Sequence, residues 1–252
     1  MRSLHAAGVA LSRSGRCVLV VERSRRVLSV SGIRTTSYGQ QGALSPLDRL
    51  GVFLSHRRLN GEIGDVAGKR IGDFGCGFEA TYARTILDRV AEVVLVDVAL
   101  APELTSHPRV RAIEGELPGA LSVLGDASLD VVVCVSVIEH LWEPEVALGE
   151  FRRLLAPGGL LLVNVPSWFG KRFLELSAFR LGLSPAAEMD DHKRYYSPRE
   201  LWPLLVRAGF VPHGIRCSTY KLGMNTFASC RLDGGENPSN VPRLRIHPVE
   251  SA

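Results

Sequence analysis

Four residues have the types and spacing for ligand chemistry: Asp73, Gly75, Gly77 and Asp97. They lie in Arg70-Ile71-Gly72-Asp73-Phe74-Gly75-Cys76-Gly77-Phe78-Glu79-Ala80 and at the end of the apolar run Val93-Val94-Leu95-Val96-Asp97. Glycines one residue apart after a short apolar strand accept backbone angles closed to other residues, and let a ligand lie against the main chain. A helix expected over residues 80–87 would point unpaired N–H groups and a positive dipole end at that ligand. A carboxylate at a strand end, twenty residues past Gly77, suits a pair of ribose hydroxyls. Asp73, just before the glycines, suits an ammonium or sulfonium and would sit badly with a pyrophosphate. Each carboxylate also has a plainer reading, Asp97 as a cap or solvated strand end and Asp73 as an anchor for the turn. Gly75-x-Gly77-x-x-Ala80 by itself fits a dinucleotide site as well.

The elements that must position these residues alternate between strand and helix. Strands are expected at 69–74, 93–97, 109–113, 129–136 and 160–165, with a helix at 144–155 and Pro157-Gly158-Gly159 turning the chain into the last of these strands. Near-continuous Val and Leu runs belong to strands covered on both faces, as in a parallel sheet between helices. The alternation argues a doubly wound α/β sheet of Rossmann-like type, with ligands beyond the carboxyl ends of the strands. Upstream, Leu47, Leu50, Phe53, Leu54 and Leu59 recur at helical spacing over 46–60, with Gly61 and Gly64 ending the helix. Downstream, Ser197 and Pro198 start a helix running to about Arg207, and strands at 211–218 and 225–232 close the fold. The domain is therefore expected over 46–232. Residues 1–45 form an extension, with a possible hairpin and a Gly-, Ser- and Thr-rich linker at 31–43. Residues 167–197 are expected to form a lid, and 233–252 a disordered tail.

Composition narrows the class. The chain has 252 residues, 46% hydrophobic and 22% charged, and a net charge of +4, too mild to imply nucleic acid or membrane. Twelve basic against four acidic residues through Gly72 leave the N-terminal part near +8 and the rest near −4. This reads either as a solvated basic face or as an arm drawn to an anionic partner. Five scattered cysteines without metal-ligand spacing fit a reducing compartment, and no metal is expected. The N-terminus has no continuous apolar core of a leader, and the longest apolar run is too short to span a bilayer. A cytoplasmic protein is expected, with no membrane span; nucleic acid is disfavoured, since no aromatic and basic residues interleave as a stacking platform.

Asp73-Phe74-Gly75-Cys76-Gly77 resembles the first motif of class I S-adenosylmethionine-dependent methyltransferases. Further matches follow in order: Val96-Asp97, Ser128-Leu129-Asp130-Val131-Val132, Val137-Ile138-Glu139-His140-Leu141, Arg153-Leu154-Leu155-Ala156-Pro157-Gly158-Gly159 and Ala208-Gly209-Phe210. The set is similar to the small-molecule branch that includes ubiquinone- and menaquinone-type methyltransferases. The resemblance implies a mostly parallel seven-stranded sheet with the last strand antiparallel, and S-adenosyl-L-methionine as cofactor. It implies Asp73 near the methionine part, Gly75, Cys76 and Gly77 along its backbone-facing side, and Asp97 with Val98 at the ribose. Glu116 and Leu117 would lie near the adenine, and Ser136 and Val137 near the methyl group.

A methyltransferase needs alignment more than acid–base chemistry, but a base within reach of the acceptor's proton helps. His140 leads, followed by His192 and Tyr195; a histidine has a suitable unperturbed pKa of about 6.5. The plainer roles are helix bracing for His140 and lid surface for the other two. Glu139 reads as a backbone organiser and Cys76 as a small residue in a tight turn. Trp168, Phe169 and Phe173 line either an apolar pocket or a helix core. The expected activity is methyl transfer to a small molecule, with O-methylation of an aromatic or secondary metabolite the first choice. The rivals are an NAD(P)-dependent oxidoreductase, which calorimetric binding of NAD(P) but not of S-adenosylmethionine would reveal, and a silent cofactor-binding protein.

Overall fold

The computed structural model describes residues 37–40, 46–170 and 194–235, with side chains from 48 onward in the first helix. The seven strands are β1 (Arg70–Phe74), β2 (Glu92–Asp97), β3 (Val110–Glu114), β4 (Leu129–Val135), β5 (Leu155–Pro166), β6 (Ile215–Tyr220) and β7 (Asn225–Arg231). They form one sheet in the order β3-β2-β1-β4-β5-β7-β6. β1 to β5 are mutually parallel where they pair, and β7 runs antiparallel to both β5 and β6. The helices are α1 (Pro46–Ile63), α2 (Thr81–Arg84), α3 (Pro102–Thr105), α4 (Pro144–Leu154) and α5 (Pro198–Arg207).

The apolar strands bury both faces, as their composition requires. Phe74, Val94, Val132, Leu161 and Val163 face Leu148 and Phe151 of α4 and Leu201, Leu204 and Leu205 of α5. Ile71, Val93, Leu95, Val131, Leu162 and Phe227 face Leu59 and Ile63 of α1 and Ala83 and Ile86 beyond α2. The chain order reverses between β2-β1 and β4-β5, so the crevice of a doubly wound sheet opens at the carboxyl ends of β1 and β4.

Several boundaries depart from the sequence reading. The helix after the glycines spans one turn, α2, rather than residues 80–87, so a helix dipole adds little there. Ala80 enters it in a left-handed conformation, and Thr85 ends it, its hydroxyl donating to the Tyr82 carbonyl at 2.7 Å. Such back-bonding by Thr competes with further helical turns. α1 extends past Gly61 to Ile63, and Gly64 ends it with φ of 68°. Its buried face runs through Ser55, Leu59 and Ile63, while Leu50 and Phe53, expected to pack, are 52% and 60% exposed. Of the expected apolar set, Leu59 is buried, while Leu50 and Phe53 are turned outward. β6 begins at Ile215 because Pro212–Gly214 forms a 3-10 turn first. Ser197 does begin α5, with the Glu200 carboxylate accepting its N–H at 2.7 Å. The expected hairpin, the body of the lid and the tail from 236 onward lie outside the described residues.

Candidate active site

The sequence folds locally so that β1 and β2 end side by side, Phe74 in register with Val96. Gly75 and Gly77 follow with φ of 71° and 76°, left-handed angles that favour glycine. The Gly75 N–H donates to the Val96 carbonyl at 2.7 Å, stitching the turn to β2. The Asp97 carboxylate then braces it from the side, accepting the Gly77 N–H on Oδ2 and the Val98 N–H on Oδ1, both at 2.8 Å. The structural role of Asp97 is compatible with the expected ligand role, since a carboxylate has about four acceptor positions and these bonds use two. Replacing Asp97 by Ala removes both brace and acceptor. S-adenosylhomocysteine affinity should fall by about 1–3 kcal/mol, and an unchanged calorimetric Kd in a folded variant would remove the ribose role.

Asp73 is 4% exposed, and its carboxyl is pushed up to about 7. Burial is the main cause, the neighbouring Asp97 charge the second, and the Ala83 backbone amide opposes both. Such a group is costly to ionise alone and inexpensive to ionise beside a cation. Cys76 is half-buried, and burial and the same two carboxylates raise its thiol far above the ordinary range, which disfavours the thiolate.

β4 delivers the third side. Its exit residue Ser136 is left-handed at φ 55° and donates its N–H to the Asn164 carbonyl at 2.7 Å. That swing lays Val137 over Gly75, so closely that a Cβ on Gly75 would lie 2.2 Å from Val137 Cγ2. The 3-10 turn Ile138–His140 follows at once, with the His140 N–H on the Val137 carbonyl at 2.9 Å. His140 is half-buried and stands beside the β4 exit. Glu139 is fully buried, and its carbonyl accepts the Arg194 N–H at 3.3 Å.

Glu116 and Leu117 sit at the exit of β3. Glu116 is exposed and Leu117 packs against the core; the Gly115 N–H donates to the Asp97 carbonyl at 2.9 Å and keeps this exit beside Asp97. Tyr195 is only 7% exposed, its ring 5.4 Å from that of Trp168, whose indole N–H donates to Glu200 at 3.2 Å. His192 and Phe173 lie outside the described residues. The cofactor-side candidates thus gather at the ends of β1, β2 and β4, with the β3 exit flanking them.

Two neighbours escaped the sequence reading. Residues 37–40, read as linker, form a turn whose Tyr38 carbonyl accepts the Phe78 N–H at 2.9 Å and would lie 3.2 Å from a Cβ on Gly77. The only signal was Tyr38-Gly39 inside a polar stretch. Asn164 is 2% exposed in β5, and neither side-chain amide atom has a hydrogen-bond partner among the described residues. Its signal was a single amide interrupting Leu160-Leu161-Leu162-Val163-Asn164-Val165.

The donor set fits S-adenosylmethionine: a buried acid awaiting a cation, a glycine cradle that side chains would fill, and a carboxylate with acceptor positions to spare. Fold and site together define a class I S-adenosylmethionine-dependent methyltransferase domain. A family model described as a methyltransferase domain matches residues 49–213, and the chain belongs to that family. It is 35% identical over 150 residues to a Mycolicibacterium smegmatis protein named a probable S-adenosylmethionine-dependent methyltransferase, covering 57% of this chain and 52% of the relative. It is 31% identical over 108 residues to a ubiquinone biosynthesis O-methyltransferase of Xanthomonas oryzae, covering 40% and 44%. The chain spans about half the length of the first of these curated relatives. Among solved structures, an S-adenosylmethionine-dependent methyltransferase from Archaeoglobus fulgidus shares the fold at a TM-score of 0.53 and 14% identity, covering 71% of this chain and 93% of the other. No helix among the described residues is long and apolar enough to cross a membrane.

Proposed function

We propose that the chain transfers a methyl group from S-adenosylmethionine to a small-molecule acceptor, with O-methylation of an aromatic or secondary metabolite as the specific reading. The observation that carries it is the pairing of Asp73 and Asp97 around the glycine turn. One buried acid is suited to an ammonium and the other to ribose hydroxyls. The relatives named for ubiquinone O-methylation point to an oxygen acceptor.

The bound cofactor supplies an electrophilic methyl group on a sulfonium. The chain's residues bind and align. Asp73 and Asp97 hold the two ends of the donor, and Ser136 and Val137 close the side facing the acceptor. Alignment of this kind lowers a barrier by roughly 7–11 kcal/mol. His140, at the β4 exit, takes the proton that the acceptor loses. His192 is the second candidate for that proton; Tyr195, buried against Trp168, serves better as a wall than as a base. Residues 46–232 form the catalytic domain, and most of the lid expected over 167–197 lies outside the described residues.

Incubating the full chain with methyl-labelled S-adenosylmethionine and a metabolite extract should yield a labelled small molecule. Binding of the cofactor with no transfer across a broad panel of phenols, amines and carbon acids would instead mark a silent binding protein. His140→Ala should lower kcat at least tenfold while leaving the S-adenosylhomocysteine Kd within about twofold. An unaltered rate with the identified acceptor would return His140 to a bracing role.

A further inference from the structure

The β6–β7 turn carries a cation with no ion-pair partner among the described residues. Lys221, Leu222 and Gly223 are all left-handed, with φ of 49°, 56° and 87°. For Lys and Leu this conformation is costly, where Gly or Asn would enter it cheaply. The turn is nevertheless held rigidly. The Ser167 N–H donates to the Met224 carbonyl at 2.9 Å, the Ser167 hydroxyl to the Gly223 carbonyl, and the Met224 N–H to the Lys221 carbonyl at 3.1 Å. Strain retained under such restraint points to a use for the side chain it presents.

That side chain turns back under α1. Lys221 Nζ lies 3.8 Å from where a Cβ on Gly51 would be and 5.9 Å from the centre of the Tyr220 ring. Lys221 is half-buried, makes no ion pair with any described residue, and its ammonium is lowered to about 8 by burial alone. The ring sits at the outer limit of a cation–π contact, near 6 Å, and does not replace a counter-ion. His56 is held toward its neutral form by burial and by Lys221 itself, Arg57 and Arg58 are cationic, and Glu62 is taken by Arg58 at 2.7 Å.

The same sheet face holds a second unmet donor. Asn164 is in register with Val135 on one side and Phe227 on the other, and both pack on the α1 side of the sheet. Its amide is therefore buried on that face without a partner, an arrangement that costs about 1–3 kcal/mol unless something fills it. Position ties both groups to the acceptor side. Pro166, the carboxyl end of β5, is in register with Asn225, so the β6–β7 turn stands at the end of the sheet where Ser136 and Val137 leave β4.

We propose that Lys221, against Gly51 of α1, is the counter-charge for a carboxylate of the methyl acceptor, with Asn164 as a second donor. This rests on the reading of the domain as a small-molecule methyltransferase and narrows its substrate to aromatic acids. An ammonium and an amide N–H offer donors for the two oxygens of a carboxylate, and the exposed Phe169 and Trp168 beside the turn give an apolar approach.

The test uses the full chain saturated with S-adenosylhomocysteine, titrated calorimetrically with 4-hydroxybenzoate, salicylate, 4-hydroxybenzamide and phenyl phosphate. At least one carboxylate should bind better than the neutral benzamide and move the Nζ resonance of Lys221 in a nitrogen NMR spectrum. Lys221→Met should weaken that carboxylate at least tenfold and leave S-adenosylhomocysteine binding unchanged, while Lys221→Arg should recover most of the loss. Equal carboxylate affinity in Lys221→Met, an unmoved Lys221 resonance with every acid, or a preference for phenyl phosphate overturns the proposal. Failure to bind S-adenosylhomocysteine would overturn the methyltransferase reading instead, so the two failures are distinct.

Discussion

Asp73→Asn should have opposite effects on the empty and the loaded protein. Without cofactor, the wild-type carboxyl titrates near 7 in the fold against 3.8 in the ordinary state. A raised carboxyl contributes stability that is full below the lower value and lost as pH rises through the upper one. The free wild-type protein should therefore melt lower at pH 8 than at pH 5.5. The asparagine variant should lack that part of the slope, and at pH 8 should be more stable by on the order of a few kcal/mol. With S-adenosylhomocysteine the order reverses. The ligand's ammonium favours ionised Asp73, so wild-type affinity should rise between pH 6 and 8, and the variant should bind more weakly by about 1.5–3 kcal/mol. Thermal melts and calorimetry across that pH range decide the matter. A variant that gains no stability when empty, or that binds as tightly as wild type, would show that Asp73 only anchors the turn.

Gly75→Ala should cost about 2–5 kcal/mol of stability, read by denaturant unfolding, and most of the cofactor affinity. Two independent terms add. A left-handed alanine costs about 1–2 kcal/mol, and a methyl 2.2 Å from Val137 Cγ2 cannot be accommodated without displacing the β4 exit, an overpacking cost of about 1–3 kcal/mol. The double variant with Val137→Ala separates them, because it relieves the clash and leaves the backbone term. Should the single variant be as stable as wild type, the closure of Val137 over the turn is wrong.

The donor side of this protein was legible because each step depends on local pattern. The Val93 to Val96 run, the acid that ends it and the glycines before it specify one strand–turn–strand unit, and Asp73 and Asp97 stand where that unit requires. What depends on rotation about an axis was harder. The apolar residues of α1 fit a helix, yet its buried face runs through Ser55, Leu59 and Ile63 rather than Leu50 and Phe53. α2 ends where the Thr85 hydroxyl bonds back to the Tyr82 carbonyl, and Tyr38 reaches Phe78 through its carbonyl, an atom that every residue possesses. Lys221 was invisible for a related reason. Its isolation is a property of what packs around it, and nothing in Tyr220-Lys221-Leu222-Gly223 announces a lysine without a counter-ion.

The antiparallel seventh strand has a consequence for how such an enzyme changes its substrate. Parallel neighbours are joined by long crossovers that carry the chain back to the amino end of the sheet. β7 instead doubles back on β6 through a tight turn, residues 221–224, at the cofactor end. On the proposed reading, lengthening or shortening that turn would alter the acceptor wall without moving β1, β2 or β4. Selectivity here can drift through a few peripheral residues while the methyl-donor machinery stays as it is.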